Sequence, residues 1–245
     1  RFKNHILPDK LHVLSVSFLM PEMRKEFGGC AGNIAYNLRL LGGEPEPMGT
    51  VGRDFGAYAE RMDSFGISRR HVTSLQGEFT AQAFIMTDLD DNQITAFHPG
   101  AMNSAHLNRV EDARRPAIGI VAPDGREGMV SHAAQFAESG IPFIFDPGQG
   151  LPMFDGDNLR SFLEQATWVA VNDYEWSLVR ERTGLDEHSV CERVEALVVT
   201  RGSEGSTIYT RNETVEIPVA PARKVADPTG CGDAFRAGIL YGLIN

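Results

Sequence analysis

The stretch Asp227-Pro228-Thr229-Gly230-Cys231-Gly232-Asp233-Ala234-Phe235 sets two acids around small residues at the start of an apolar, helix-like run. Small residues let the backbone come close to a ligand, and the first N–H groups of a helix have no partner within it. Amides exposed in this way form a cradle for an anion such as phosphate. Asp233 falls in the first turn beside that anion, where its carboxylate could accept the proton of an attacking hydroxyl. The chemistry that fits is phosphoryl transfer. Taken alone, the string also reads as an N-cap at Asp227 followed by a glycine turn, so the rest of the chain must decide.

Elements able to hold such a centre recur along the sequence. Residues 31 to 41 carry Ile34, Leu38 and Leu41 at helical spacing, with Gly28-Gly29 before them and Gly42-Gly43 as a stop. Phe143-Ile144-Phe145, Trp168 to Val171 and Leu197-Val198-Val199 are short apolar runs between turn residues and predict buried strands of a parallel sheet. Helical stretches at 131 to 139 and 187 to 196 lie between them, giving a β-α-β-α order and a layered α/β fold. Polar clusters follow each strand directly: Asp146 to Gln149, Asn172 to Glu175, and Thr200 to Gly205. Ligands of open parallel sheets bind at the carboxyl ends of the strands, so these clusters are expected to converge on one crevice. Residues 11 to 20 alternate in part, and 79 to 98 read as two strands joined through Asp88 to Asn92. Together they predict a small antiparallel sheet, a flap or contact surface, with an edge hairpin of the main sheet as the alternative.

Composition bounds the function. The chain has 245 residues, is 42% apolar and carries a formal charge of −10. That length and apolar content can bury a full core in one α/β domain. The negative field disfavours nucleic acid and anionic membranes as partners. Cys30, Cys191 and Cys231 are far apart and match neither a disulfide framework nor a C-x-x-C metal site, which points to a reducing cytoplasm. No apolar run approaches the roughly 18 residues of a membrane span, and the seven histidines show no ligand spacing.

Five motifs occur in an order that resembles the ribokinase-like (PfkB) carbohydrate and nucleoside kinases: Gly28-Gly29-Cys30-Ala31-Gly32-Asn33, Val51-Gly52-Arg53-Asp54-Phe55-Gly56, Asn172 to Glu175, Val199 to Gly205, and Asp227 to Asp233. The resemblance spans essentially the whole chain. Within the family, Phe97 to Met102, Asn172 to Trp176 and Asp227 to Gly238 are most similar to bacterial adenosine kinases. It implies a three-layer α/β/α sandwich with a mostly parallel sheet and a small β-sheet lid, formed by segments at about 1–25 and 79–98. It also implies that the family's first strand, with its sugar-gripping aspartate, and the C-terminal part of the adenine pocket fall outside this sequence.

The resemblance assigns roles. Asp233 corresponds to the general base, and Gly230, Cys231 and Gly232 to the anion hole, with Cys231 in place of the usual alanine. Asn172 and Glu175 correspond to the element that organises Mg²⁺ and phosphate, with Glu175 acting through water; as a bare pair they could equally cap a helix. Thr200, Gly202 and Gly205 correspond to the nucleotide-side turn, which without the other motifs reads as a hairpin turn. Asp227 and Thr229 join them on the nucleotide side. Gly29 and Asn33 correspond to the residues that hold sugar hydroxyls. Gln149 falls near the substrate, with Gly150 where a second Gln is expected, and Phe97 could lie against a base or simply pack. Arg53 and Arg236 could reach a phosphate or serve as ordinary cations.

The implied activity is transfer of the γ-phosphoryl group of ATP to the 5′-hydroxyl of a purine nucleoside, adenosine first. The alternatives are a sugar kinase acting on ribose, fructose or a phosphohexose, and a non-catalytic nucleoside sensor. The implied partners are the small-molecule substrate, ATP and Mg²⁺, with a homodimer through the lid as a further expectation. A P-loop is excluded by the lack of any Gly-Lys pair. A dinucleotide fingerprint is excluded by Asp233 and Phe235 in the Gly230-Cys231-Gly232 stretch.

Overall fold

The computed structural model describes residue 2 and residues 17–90, 92–114, 116–222 and 229–245. Helix α1 (Cys30–Leu40) begins at Gly29, whose φ of 90° suits glycine. It ends where Gly43 N–H donates to Leu38 O at 2.9 Å across Gly42, φ 95°. Strand β1 (Met48–Gly52) leads to helix α2 (Gly56–Ser64) and then to strand β2 (His71–Leu75), which pairs with β1 in parallel. This two-stranded pair was not anticipated from the sequence, where 48–52 and 71–75 lack a strong alternating pattern.

Strands β3 (Gln82–Thr87) and β4 (Gln93–His98) form an antiparallel hairpin, with Phe97 opposite Ala83. The predicted turn is present: Asp88 Oδ1 accepts the N–H groups of Asp90 and Asn92 at 2.9 and 3.0 Å. The hairpin is a sheet of its own and not an edge of the main sheet. Residues 17 to 20 are in no strand, and 11 to 16 lie outside the described residues. Phe2 N–H donates to Asp88 Oδ2 at 2.8 Å, which ties residue 2 to the hairpin turn.

The main sheet follows: β5 (Gly119–Val121), helix α3 (Arg126–Glu138), β6 (Phe143–Phe145), helix α4 (Gly156–Gln165), β7 (Trp168–Asn172), helices α5 (Asp173–Thr183) and α6 (Glu187–Cys191), then β8 (Ala196–Thr200), β9 (Ser206–Tyr209), β10 (Thr214–Ile217) and helix α7 (Cys231–Ile244). Its order is β10-β9-β8-β7-β6-β5, parallel from β5 to β8 and antiparallel beyond.

Strand alternation decides the layers. Phe143, Phe145, Val169 and Val171 face one core with Met129 and Ala133 of α3, Leu159, Phe162 and Leu163 of α4, and Trp176 and Val179 of α5. Ile144 and Ala170 face the other core with Ile34 and Leu38 of α1 and Ala237 and Leu240 of α7. Helices therefore cover both faces, as parallel strands require. Two helices differ from their predicted extents. α3 starts five residues before 131. α6 stops at Cys191, not 196, because the chain must turn at Glu195, whose N–H donates to Thr167 O at 2.8 Å, to enter β8.

Candidate active site

The N-terminus of α7 is set by Gly230, in the left-handed region at φ 79°. It brings Asp233 into the first turn, as the sequence predicts. Asn33, one turn into α1, donates from Nδ2 to Asp233 Oδ2 at 2.8 Å across 200 residues of chain. A Cβ at Gly230 would lie 3.9 Å from the same Asn33 nitrogen. The predicted sugar-side and catalytic residues therefore meet, because α1 and α7 pack on the same face of the sheet with their N-terminal turns in register.

Cys30 and Asp146 border the pair. The Cys30 thiol is pushed up to about 12, first by burial and then by the negative charges of Asp233 and Asp146, so it is a neutral hydrogen-bond donor here and no nucleophile. Asp146, at the carboxyl end of β6, is buried beside the equally buried Arg236 of α7. The guanidinium donates to its carboxylate at 3.0 and 3.4 Å and to Ala170 O at 3.3 Å. Burial pushes Asp146 up to about 6 despite Arg236, with Glu175 and Asp233 adding to the rise. Arg236 is therefore spent inside the fold and does not reach outward to a phosphate. Arg53 is likewise engaged, its guanidinium 4.1 Å from the Phe79 ring.

At the end of β7, Asn172 and Glu175 form a complete capping box: Asn172 Oδ1 accepts Glu175 N–H at 2.7 Å, and Glu175 Oε2 accepts Asn172 N–H at 2.8 Å. The capping role open in the sequence is thus real. It does not remove the other role, since a carboxylate accepts at about four lone-pair sites and can still hold the water of a magnesium ion. Among the described residues no cluster of three or more His, Cys, Asp or Glu could cage a metal. One carboxylate with substrate phosphates suits Mg²⁺, which keeps most of its waters.

Thr200 is the register partner of Asn172. The turn from Thr200 to Gly205 is a β8–β9 hairpin in which Arg201 N–H donates to Gly205 O at 2.8 Å. Gly202 and Gly205 have positive φ of 54° and 89°, and a Cβ on Gly205 would strike Ile217 O at 2.1 Å. Gly205 is therefore required by the approach of β10, whatever its part in nucleotide binding.

The remaining predicted residues are exposed or lie outside the described residues. Gln149 is exposed in a 3-10 turn after β6, and Phe97 is 56% exposed on the hairpin. Among the described residues neither hydrogen-bonds to Asn33 or Asp233. Thr229 is exposed just before α7, and Asp227 lies outside the described residues. Asp124, not singled out in the sequence, is half-buried past the end of β5, accepts Gly125 N–H at 2.8 Å and is pushed by burial up to about 7. Its signal was its place after an apolar run, the same cue that picked out Asp146. A small recess of about 30 Å³ between α1 and α2, walled by Phe27, Tyr36, Tyr58, Arg61 and Phe65, also opens beside Asn33.

Residues 6–245 match the pfkB family carbohydrate kinase model. A nucleoside kinase from Burkholderia thailandensis, solved in complex with inosine, is 56% identical with a TM-score of 0.89, over 93% of this chain and 77% of that one. The same enzyme in complex with ADP-inosine superimposes with a TM-score of 0.87. A nucleoside kinase of Methanocaldococcus jannaschii is 33% identical over 94% of this chain and 76% of its own length. The helix-covered, mostly parallel sheet and its separate antiparallel hairpin are the ribokinase-like fold, and the chain belongs to the pfkB family of carbohydrate kinases.

Proposed function

We propose that this kinase transfers the γ-phosphoryl group of ATP to the 5′-hydroxyl of a purine nucleoside, giving the nucleoside monophosphate and ADP. The observation that carries this reading is the Asn33–Asp233 contact of 2.8 Å. A sugar held by Asn33, whose amide offers both a donor and an acceptor to vicinal hydroxyls, has its reactive hydroxyl beside Asp233. Asp233 takes the proton as the hydroxyl oxygen attacks phosphorus. The amides of Gly230, Cys231 and Gly232 face the phosphoryl oxygens, where preorganised donors stabilise transferring charge. Mg²⁺, when bound with the nucleotide, supplies neutralising charge for the phosphates, and Glu175 is the side chain that would order its water. Gly29, Gln149 and Phe97 line the nucleoside side in this reading. Asn172, Thr200, Gly202, Gly205, Asp227 and Thr229 serve the nucleotide side, and the β3–β4 hairpin acts as a lid.

Two lines support the purine. The motifs around Phe97, Asn172 and Asp227 resemble adenosine kinases, and the Burkholderia relative is solved with inosine. Adenosine and inosine are thus the first substrates to try. The decisive experiment measures ADP release with Mg-ATP against adenosine, inosine, guanosine, cytidine, ribose, fructose and fructose 6-phosphate. Turnover on purine nucleosides supports the proposal, whereas turnover confined to free sugars overturns the substrate and keeps the mechanism. Binding of nucleoside without turnover would mean a sensor. Asp233→Asn is expected to cut kcat by at least about 100-fold with nucleotide affinity little changed.

A further inference from the structure

The Val51 to Gly56 motif has no place in the chemistry above, yet it grips the root of the β3–β4 hairpin at several points. Gly52 N–H donates to Thr80 Oγ1 at 3.0 Å, and Arg53 N–H to Glu78 O at 3.1 Å. Past the returning strand, in the 3-10 turn after β4, Ala101 N–H donates to Phe79 O at 2.9 Å, and Thr50 Oγ1 donates to Ala101 O at 2.5 Å. The backbone at Phe79 threads a slot between two glycines: a Cβ on Gly52 would lie 2.3 Å from Phe79 C, and one on Gly100 2.2 Å from Phe79 O. The root therefore cannot slide. It could still swing.

Asp54 removes that freedom. Its Oδ1 accepts Thr80 N–H at 2.7 Å and its Oδ2 accepts Gln82 Nε2–H at 2.8 Å. One bond is made to the Thr80 backbone just before β3 and the other to the side chain of Gln82, the first residue of β3, so the entry to the strand is held at two groups where one would leave a pivot. A single carboxylate thus bridges the loop between β1 and α2 to the root of the hairpin, where Phe97 pairs with Ala83. Burial pushes Asp54 up, but the Thr80 amide and hydroxyl, its own amide and the charge of Lys25 together hold its carboxyl below the usual range, in keeping with bonds made to the charged form.

We propose that Asp54 is a positioning residue that sets the closed angle of the β3–β4 hairpin over the nucleoside end of the crevice, and that it thereby governs nucleoside affinity and keeps water from the phosphoryl group. The proposal rests on the kinase reading above. A lid held at the wrong angle gives up contacts to the nucleoside and admits water as a rival acceptor, whereas Asp233 and the α7 amides, on another element, keep their geometry.

The test compares wild type with Asp54→Ala, Asp54→Asn and Gln82→Leu. For Asp54→Ala the expected result is a nucleoside KM raised about tenfold with kcat within about threefold and an unchanged KM for ATP. ATP hydrolysed per nucleoside phosphorylated should rise about fivefold, and amide hydrogen exchange should quicken across residues 82 to 98. Asp54→Asn keeps an oxygen for Thr80 and, with the Gln82 amide turned over, a partner for Gln82, so it should restore most of the KM. Gln82→Leu, which keeps the Thr80 bond, should fall between and guards against a variant that does not fold. A nucleoside KM within twofold of wild type in both Asp54→Ala and Gln82→Leu would overturn the proposal, as would hairpin exchange that does not change. So would losses that track thermal stability with no rise in uncoupled hydrolysis. If wild type turned over no nucleoside, the kinase reading would fail while hydrogen exchange still decided whether Asp54 holds the hairpin.

Discussion

Arg236 shows how far a single side chain could be read in advance. In the sequence it was a cation that could reach a phosphate or simply sit on a helix; in the fold it is buried against Asp146. Helical spacing held the clue, since Arg236 shares its face with Leu240 one turn on, which is buried too. What spacing cannot supply is the partner, 90 residues away just past β6. Arg236→Met should leave a buried carboxylate unpaired and cost about 3–5 kcal/mol. Adding Asp146→Asn should recover part of that, as urea titrations of the single and double variants would show. Asp233 and Asn33, by contrast, were legible because each lies next to a glycine-marked helix start. Asp124 allows a pH argument at the same scale. Its carboxyl is raised to about 7 in the fold, so between about pH 4 and 7 the folded state binds more protons than the unfolded one. Stability from this group is present at low pH and lost as pH rises through that window. Asp124→Asn mimics the protonated form, so its melting temperature minus that of wild type should grow from pH 5 to pH 8. A difference that stays flat would remove Asp124 as the source.

Among the elements, β6, β7 and β8 were legible as apolar runs cut off by turn residues, whereas β1, β2, β5, β9 and β10 were not read from the sequence. The helix at 187 was overextended, since nothing local marks the point where tertiary strand pairing takes over from helix propensity. The hairpin at 79–98 was foreseen, but whether it joined the main sheet was not. Register to a neighbouring sheet depends on contacts far along the chain. The α5 cap and the magnesium role proposed for Glu175 can be separated by substitution. Glu175→Gln preserves the capping box, in which Gln serves as well as Glu, so unfolding free energy should stay within about 0.5 kcal/mol. The magnesium concentration for half-maximal turnover should nonetheless rise several-fold if Glu175 orders the ion's water. Asn172→Ala should instead cost about 1 kcal/mol of stability through the lost cap, which a thermal melt would register alongside the kinetics.

At the scale of the whole molecule, the layers place the predicted polar clusters after the carboxyl ends of β6, β7 and β8, where ligands of open parallel sheets bind. The net charge of −10 means that a nucleotide is met by local amides against an unfavourable overall field. The KM for ATP should therefore fall as salt rises from low ionic strength, until screening is complete near the roughly 10 Å Debye length of 0.1 M salt. The bond between Asn33 and Asp233 has a further consequence, for synthesis on the ribosome. Its two halves lie 200 residues apart, as do the apolar stripe of α1 and the α7 residues that cover it. At 5–20 residues per second, Ile34 and Leu38 emerge roughly 10 to 40 seconds before Ala237 and Leu240. Through that interval the nascent chain presents a helix face that β6 and β7 can partly cover but α7 cannot, which a chaperone can hold, and the Asn33–Asp233 pair is not yet formed.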